Sequence, residues 1–256
     1  MVSVLPFSAT FLAALLSPKE KLDPINPDRP SSTTSPAIVA PGHIQLETGF
    51  LYTRKGTLKL QEFGDGTTIR IPTNKDFEFR VSVGNYAIAA DSGVRLVGFE
   101  DSGLGFKVML AHGSDKFSWR KPRVAINANV TFPSGANAFR ENALQPQALL
   151  LAEWDFLSDT NLTLNGGLAS RSQNGQRFTQ FVWTSTMVHQ FGARTSAYVE
   201  AFGIAPASPH GPGSNYLDMG ASYLINNDTM ADVRIGQGIN GVSPDYFLGV
   251  GLSLRW

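Results

Sequence analysis

The end of the chain alternates strictly between two kinds of side chain, and this alternation constrains the fold more than any other feature. Successive side chains of a β-strand point to opposite faces, so a period of two predicts a strand with two unlike faces. No helical period of 3.6 persists over three turns elsewhere, which predicts an all-β protein. One face of this last stretch carries Tyr246, Leu248, Val250, Leu252, Leu254 and Trp256, and the other carries Phe247, Gly249, Gly251, Ser253 and Arg255.

Stretches of about ten alternating residues recur from Gly42 onward, separated by turn residues. Short and long connections alternate between them, and the long ones include Lys55–Gly64 and Ala89–Glu100. This layout is typical of transmembrane barrels, so we predict a single transmembrane antiparallel up-and-down β-barrel of about 12 strands, with both termini periplasmic. The predicted strands are 43–54, 65–71, 77–88, 101–111, 121–132, 144–156, 161–170, 177–189, 194–203, 215–225, 229–237 and 245–256.

A soluble β-sandwich would also alternate, and it stands as an alternative. Sandwich strands usually have about five or six residues, whereas these stretches are long enough to cross a bilayer when tilted. Charged residues make up only 16% of the chain, against about 25% in average proteins, and the apolar rows contain none. A charge facing lipid at mid-bilayer costs about 2–4 kcal/mol. We therefore predict a bacterial outer-membrane location, in contact with outer-membrane lipid.

The residues before the predicted barrel, which spans 43–256, fall into two parts. Residues 1–17 are apolar and resemble the core of a secretory signal peptide, but they lack a basic start and a clear cleavage site. We interpret them as an atypical or truncated signal peptide. Residues 18–42 are rich in Pro, Ser and Thr, which predicts irregular or extended chain. This part is either a periplasmic tail or a plug in the lumen, with Asp28 and Arg29 as partners of lumen side chains.

Ionisable side chains collect on the predicted inward face of the strands. They either line a water-filled path and tune the choice of solute, or form ion pairs that fill the lumen, and both readings are open. The formal net charge is zero, which argues against a nucleic-acid partner. The predicted lumen-facing acids are Glu47, Glu78, Glu153, Asp155, Glu200, Asp218 and Asp232, and the bases are Arg70, Arg80, Lys107, Arg123, Arg234 and Arg255.

Signatures of catalysis are weak, so we predict a protein that is not an enzyme and needs no metal or cofactor. The chain has no cysteine, no H-x-x-x-H spacing, no G-x-S-x-G elbow and no P-loop. Ser185 and His189 lie four residues apart on one predicted strand, about 13 Å by strand rise, which is too far for direct contact. A lipid hydrolase assembled across neighbouring strands, through His189 or His112, is the minor alternative.

Several local patterns together resemble one family of outer-membrane barrels, "MetA-pathway of phenol degradation". The resemblance implies outer-membrane transport, including that of aromatic compounds, and it implies no particular solute. The pieces that carry it, in chain order, are Asp28-Arg29-Pro30, Pro41 to Gly49, Arg70 with Phe77 to Val81, Asp101 to Lys107, Phe132-Pro133-Ser134-Gly135, Tyr198-Val199-Glu200, Leu217 to Gly220 and Pro244 to Trp256.

The aromatic C-terminus resembles the signal that the barrel-assembly machinery reads, which predicts that machinery as a partner during insertion. The predicted signal is the apolar row of the last strand, Tyr246 to Trp256. The predicted function is a channel or transporter for small solutes, including aromatic ones, through a polar lumen. The alternatives are a structural barrel with a filled lumen and the lipid hydrolase.

Overall fold

A computed structural model describes residues 22–114 and 118–256. The predicted signal peptide, residues 1–17, lies outside the described residues. The described chain contains fifteen β-segments. They are β1 Gln45–Lys55, β2 Leu58–Phe63, β3 Thr68–Asn74, β4 Phe77–Ser82, β5 Tyr86–Asp91, β6 Val94–Phe99, β7 Ser102–His112, β8 Arg123–Phe132, β9 Gln145–Leu157, β10 Thr160–Gln173, β11 Gln176–Phe191, β12 Thr195–Ala205, β13 Ser214–Asn226, β14 Thr229–Gly238 and β15 Tyr246–Arg255.

The segments form one antiparallel sheet that closes on itself where β1 pairs with β15. Three strands are interrupted: β2 continues into β3, β4 into β5, and β6 into β7. Fifteen segments minus three interruptions leave twelve strands, so the predicted 12-stranded antiparallel barrel is confirmed. Closure removes the free sheet edges that a membrane-spanning sheet cannot tolerate.

Two predicted long connections were wrong. Lys55–Gly64 contains β2, and Ala89–Glu100 contains the end of β5 and all of β6. These segments continue the barrel strands beyond breaks at 64–67, 83–85 and 100–101. The breaks interrupt the alternation of side chains, and this made the outer halves of the strands look like loops.

The outer surface is apolar over the whole height of the strands. Phe79, Leu104, Val199, Met219 and Val250 are each more than half exposed, although they are large apolar side chains. Within β11 the sequence alone does not decide which residues face outward. In the structure Phe181 lies outside, whereas Val182 packs inside against Ala125, Leu149 and Leu151. The outward apolar row of β15 matches the prediction, and such a surface is that of a barrel embedded in lipid.

Aromatic side chains form two groups on this apolar surface. One row crosses four neighbouring segments beside the breaks in the strands, where the ring centroids of Phe50 and Phe63 lie 5.0 Å apart, those of Phe63 and Tyr86 6.5 Å, and those of Tyr86 and Phe99 5.3 Å. At the rim that carries the C-terminus, the rings of Trp119 and Trp154 lie 5.8 Å apart. Aromatic side chains at a rim are typical of barrels that meet a membrane interface there.

No helix among residues 22–114 and 118–256 is long and apolar enough to cross a membrane. Both described ends of the chain lie at the same rim. The Asn227 side chain donates from Nδ2 to the Leu22 carbonyl at 3.2 Å, and the Ile44 backbone amide donates to the Trp256 carbonyl at 2.9 Å.

Candidate functional site

The segment between Leu22 and Ile44 lies inside the barrel. It enters at the rim that carries the termini, where Arg255 Nη2 donates to the Asp23 carbonyl at 2.8 Å. It reaches its deepest point around Arg29 and Pro30 and returns to the start of β1. Its polar side chains and peptide groups form hydrogen bonds with inward-facing residues of β1, β3, β4, β7, β10, β11, β12, β14 and β15. We call residues 22–44 the inner segment.

The predicted lumen-facing residues of the first strands form one charged network. Arg70 is 1% exposed and Glu78 is fully buried, and their Nε and Oε1 atoms lie 2.9 Å apart. Arg70 Nη1 also lies 3.1 Å from Glu47 Oε1, and Arg80 Nη1 lies 2.9 Å from Glu78 Oε1. The network arises because Arg70 and Arg80 are direct partners in the β3–β4 register, and Glu78 is the partner of Lys107 in the β4–β7 register.

Asp28 of the inner segment completes this network. Its carboxylate lies 2.7 Å from Arg80 Nη1, 3.3 Å from Lys107 Nζ and 3.7 Å from Arg70 Nη1. Burial raises the pKa of the Asp28 carboxyl, but the charges of Arg70, Lys107 and Arg80 lower it by more. The pKa of Asp28 therefore lies well below its ordinary value, and the group stays ionised. Three cations and one buried carboxylate thus fix the inner segment to the barrel wall.

Arg29 points to the adjoining part of the wall around the β1–β15 seam, where its guanidinium uses all three nitrogens. It donates to the Asp65 carbonyl at 2.7 Å and to the Asp65 carboxylate at 3.1 Å. It donates to both carboxylate oxygens of Asp232 at 3.3 and 3.4 Å, and to the Val250 carbonyl at 3.3 Å.

Glycines make the space for this guanidinium. Gly49 and Gly251 are direct partners in the β1–β15 register, and a Cβ at either position would overlap the Arg29 guanidinium. A Cβ at Gly66 would come within 3.0 Å of Arg29 Nη1. We call Asp65, Asp232, the Val250 carbonyl and these three glycines the guanidinium cradle.

A third contact involves Glu200 on β12. Its carboxylate accepts from the Ser32 amide at 2.7 Å and from the Thr33 hydroxyl. The Thr33 and Thr184 hydroxyl oxygens lie 2.7 Å apart. Asp218 is the direct partner of Glu200 in the β12–β13 register and accepts from the Tyr198 hydroxyl at 3.0 Å.

The remaining predicted residues lie outside the Asp28 network and the Glu200 contact. Arg123 Nε lies 2.9 Å from Glu153 Oε1, and Arg123 also pairs with Asp155 near the rim of the termini. Arg255 Nη2 pairs with Asp228 at 2.8 Å at the same rim. Arg234 Nη2 donates to the Asp65 carboxylate at 3.0 Å, which places it beside the cradle. The thirteen predicted lumen-facing residues therefore divide into separate groups.

Two cavities lie on either side of the deepest part of the inner segment. A cavity of about 340 Å³ opens among residues of the terminal rim, including Asn161, Arg194 and Ser222. A second cavity of about 130 Å³ is lined by Asp65, Thr68 and charged side chains of the Asp28 network. Both cavities are lined by the Asp28–Ser31 stretch, so this stretch separates them.

An aromatic patch on the inner wall was not predicted. The rings of Phe202 and Tyr216 stack at 4.5 Å between centroids, and Phe247 meets Phe202 at 6.3 Å. The Arg234 guanidinium lies 5.6 Å above the Phe247 ring. The alternation does place these rings inward, but a pattern within single strands carries no signal that they meet across β12, β13 and β15.

Histidines take part in two local contacts. His189 Nδ1 lies 2.8 Å from the Thr160 hydroxyl oxygen, and His112 Nε2 lies 2.8 Å from Asp76 Oδ1. Ser185 lies on the outer face of β11, on the same side as Phe181 and Met187, so it faces away from the lumen. In residues 22–114 and 118–256 no three His, Asp or Glu side chains are grouped so that they could hold a metal ion.

A family model described as "MetA-pathway of phenol degradation" matches residues 27–256. The chain belongs to this family. The match begins inside the inner segment, so Asp28 and Arg29 are part of the family region together with the complete barrel. The resemblance inferred from the sequence is therefore confirmed.

Solved structures of outer-membrane barrels share the fold of this family member. An outer-membrane channel from Pseudomonas putida F1 is 9% identical, with a TM-score of 0.67 over 89% of this chain and 100% of that chain. The NanC porin is 10% identical, with a TM-score of 0.57 over 82% and 98%. The KdgM porin in complex with disordered oligogalacturonate is 11% identical, with a TM-score of 0.53 over 83% and 98%. No curated protein sequence matches the chain significantly.

Proposed function

We propose that this protein is a channel of the bacterial outer membrane that passes small solutes, and that the inner segment closes its lumen at mid-height. The observation that carries the proposal is the pair of cavities separated by Asp28–Ser31. Displacement of this irregular stretch would join the two cavities inside the barrel. The inner segment is held by hydrogen bonds and ion pairs rather than by strand pairing, so it can move without opening the sheet.

The similar structures support transport as the general activity, since they are an outer-membrane channel and two porins. The apolar outer surface of the strands supports outer-membrane lipid as the surroundings. A barrel alone does not imply transport. The inference of transport rests on the two separated cavities and the polar lumen.

We further propose that the solutes include small aromatic compounds. The inward patch of Phe202, Tyr216 and Phe247 offers ring faces to a passing solute, and offset or edge contacts between rings contribute about 0.5–1.5 kcal/mol. The family description, which refers to phenol degradation, agrees with this solute class.

A structural barrel with a permanently filled lumen is the rival. The apolar cluster of Ala125, Leu149, Leu151 and Val182 does fill the interior beside β8, β9 and β11. The cavity of about 340 Å³ is the observation against complete filling. We also propose that the protein is not an enzyme, because Ser185 faces outward and His189 contacts Thr160 in place of a serine.

The test is liposome swelling with a graded series of small sugars, on the refolded full chain and on a variant that lacks residues 22–42. A heat-dependent mobility shift on a detergent gel first verifies that each barrel is folded. The channel proposal predicts slow or no swelling with the full chain and rapid, size-limited swelling with the deletion variant. A folded deletion variant that gives no swelling would support the structural barrel and refute the channel.

A further inference from the structure

The guanidinium cradle is built to hold one kind of cation. It presents two carboxylates, two carbonyl oxygens and a floor without side chains. Asp65 and Asp232 come from different parts of the chain, and only the closure of the barrel through β1, β15 and β14 brings them together. Planar, forked donors fit carboxylate pairs better than a compact ammonium does.

We propose that this cradle is a binding site for monoalkyl-guanidinium cations in general, and that Arg29 occupies it as a tethered ligand. A free guanidinium compound that enters the cradle would displace the Arg29 side chain and release the deepest part of the inner segment. This inference deepens the proposed function, because it names a ligand class that favours opening.

Access to the cradle comes from the cavity of about 130 Å³. Asp65, Gly66 and Arg29 itself line this cavity, so a small cation inside it lies next to the site. Arg234 keeps one carboxylate oxygen of Asp65 engaged through its Nη2 atom at 3.0 Å. Asp232, in contrast, takes its side-chain hydrogen bonds within the described residues from Arg29 alone. Removal of Arg29 therefore leaves a buried carboxylate that a free guanidinium can pair with.

Tethering decides how strongly a free ligand must bind to compete. A tethered group acts at an effective concentration on the order of millimolar. The unaltered chain should therefore respond only to concentrations well above those that saturate an emptied cradle. An Arg29→Ala variant exposes the intrinsic affinity of the site.

The experiment measures the thermal unfolding midpoint of the Arg29→Ala barrel in detergent as methylguanidinium is added at low millimolar concentrations. Urea has the same planar shape without charge, and methylammonium has the charge without the fork, so both serve as controls at equal ionic strength. We expect a saturable rise in the midpoint with methylguanidinium only. In Arg29→Ala/Asp232→Asn the affinity should fall about tenfold or more, since a charge-assisted hydrogen bond is lost. Gly251→Ala in the Arg29→Ala background, which fills the floor, should also weaken binding.

Equal responses to methylguanidinium and methylammonium would overturn the proposal, and so would a response that survives Asp232→Asn unchanged. If Arg29→Ala does not refold alone, its refolding yield with methylguanidinium against methylammonium gives the same comparison. The readout does not depend on conductance. A barrel that binds methylguanidinium but never conducts would refute the channel and support the cradle. A barrel that conducts but does not bind methylguanidinium would support the channel and refute the cradle.

Discussion

Arg29 and Asp232 lie 203 positions apart in the sequence, and Arg29 Nη2 lies 3.3 Å from Asp232 Oδ1. Both side chains are almost completely buried, at 7% and 2% exposure. This pair joins the irregular inner segment to the wall of the barrel close to the seam where β1 meets β15. Loss of either partner leaves the other as a buried charge without its ion-pair partner.

Replacing Arg29 with alanine should destabilise the barrel and raise its ion conductance. Breaking a buried ion pair from one side costs about 3–5 kcal/mol, and the released Asp28–Ser31 stretch no longer separates the two cavities. Urea unfolding in detergent and planar-bilayer recording measure the two effects. Arg54→Ala is the matched control, since Arg54 is exposed near the far rim. Equal conductance in both variants would contradict this prediction.

Gly251→Ala should act like a partial loss of Arg29. The added Cβ would overlap the guanidinium and force it out of the cradle. Gly166→Ala on β10 is the control, because nothing lies within 4 Å of a Cβ at that position. We expect a higher conductance and a lower unfolding midpoint for the first variant only. Matching results for the two glycines would argue that the floor of the cradle has no role.

Asp28 and Lys107 should show strong coupling in a double-mutant cycle. Lys107→Met leaves Asp28 with two cations instead of three, and Asp28→Asn removes the shared carboxylate. Residues within one ionic network show interaction energies of about 0.5–3 kcal/mol. Unfolding free energies of the four proteins of the cycle give this value. Additive effects would mean that the inner segment is not held through this pair.

Phe202→Ala should lower the flux of small aromatic solutes relative to sugars of similar size. Each ring contact contributes about 0.5–1.5 kcal/mol, so we expect a several-fold change in the ratio of the two fluxes. Phe79→Ala is the control, since Phe79 is 51% exposed on the outer surface. Equal flux ratios in the two variants would remove the aromatic patch from the proposed function.

Val250→Arg should weaken the folded barrel by about 2–4 kcal/mol, because it places a charge against lipid at mid-strand. Val250 lies in the outward row of β15, and its side chain is 51% exposed. Gly241→Arg is the control in the loop before β15, where there is open space. Refolding into lipid vesicles measures the difference. The role of this row as an assembly signal stays a prediction, and it would appear as a defect of insertion in cells that exceeds the defect in vesicles.

The sequence alone was sufficient for the fold because each strand carries its own two-residue period. The inward positions of Glu47, Arg70 and Glu200 follow from this period without any knowledge of the neighbours. The partners of these residues could not be predicted in the same way, because register and barrel closure decide which side chains meet. Arg29 shows this limit clearly: it lies in a proline-rich stretch without periodicity, and its site combines β1, β14, β15 and the break after β2.

The interrupted strands show the opposite limit. Leu58, Leu60, Leu96 and Phe99 belong to strands, yet the breaks at 64–67 and 100–101 interrupt the run of alternating residues. The sequence pattern therefore predicts a loop where the barrel strand continues. A strand that contains a break cannot be predicted over its full length, because the two-residue period stops at the break.

The central claim is that the inner segment closes the lumen, and a reversible cross-link tests it most directly. The chain contains no cysteine, and the Thr33 and Thr184 hydroxyl oxygens lie 2.7 Å apart, so Thr33→Cys/Thr184→Cys brings two thiols within reach of a disulfide. The measurement is planar-bilayer conductance of this double variant in the Arg29→Ala background, first oxidised and then reduced in the same membrane. The account predicts low conductance while the disulfide holds the inner segment and a several-fold increase after reduction. Equal conductance in the two states would contradict it.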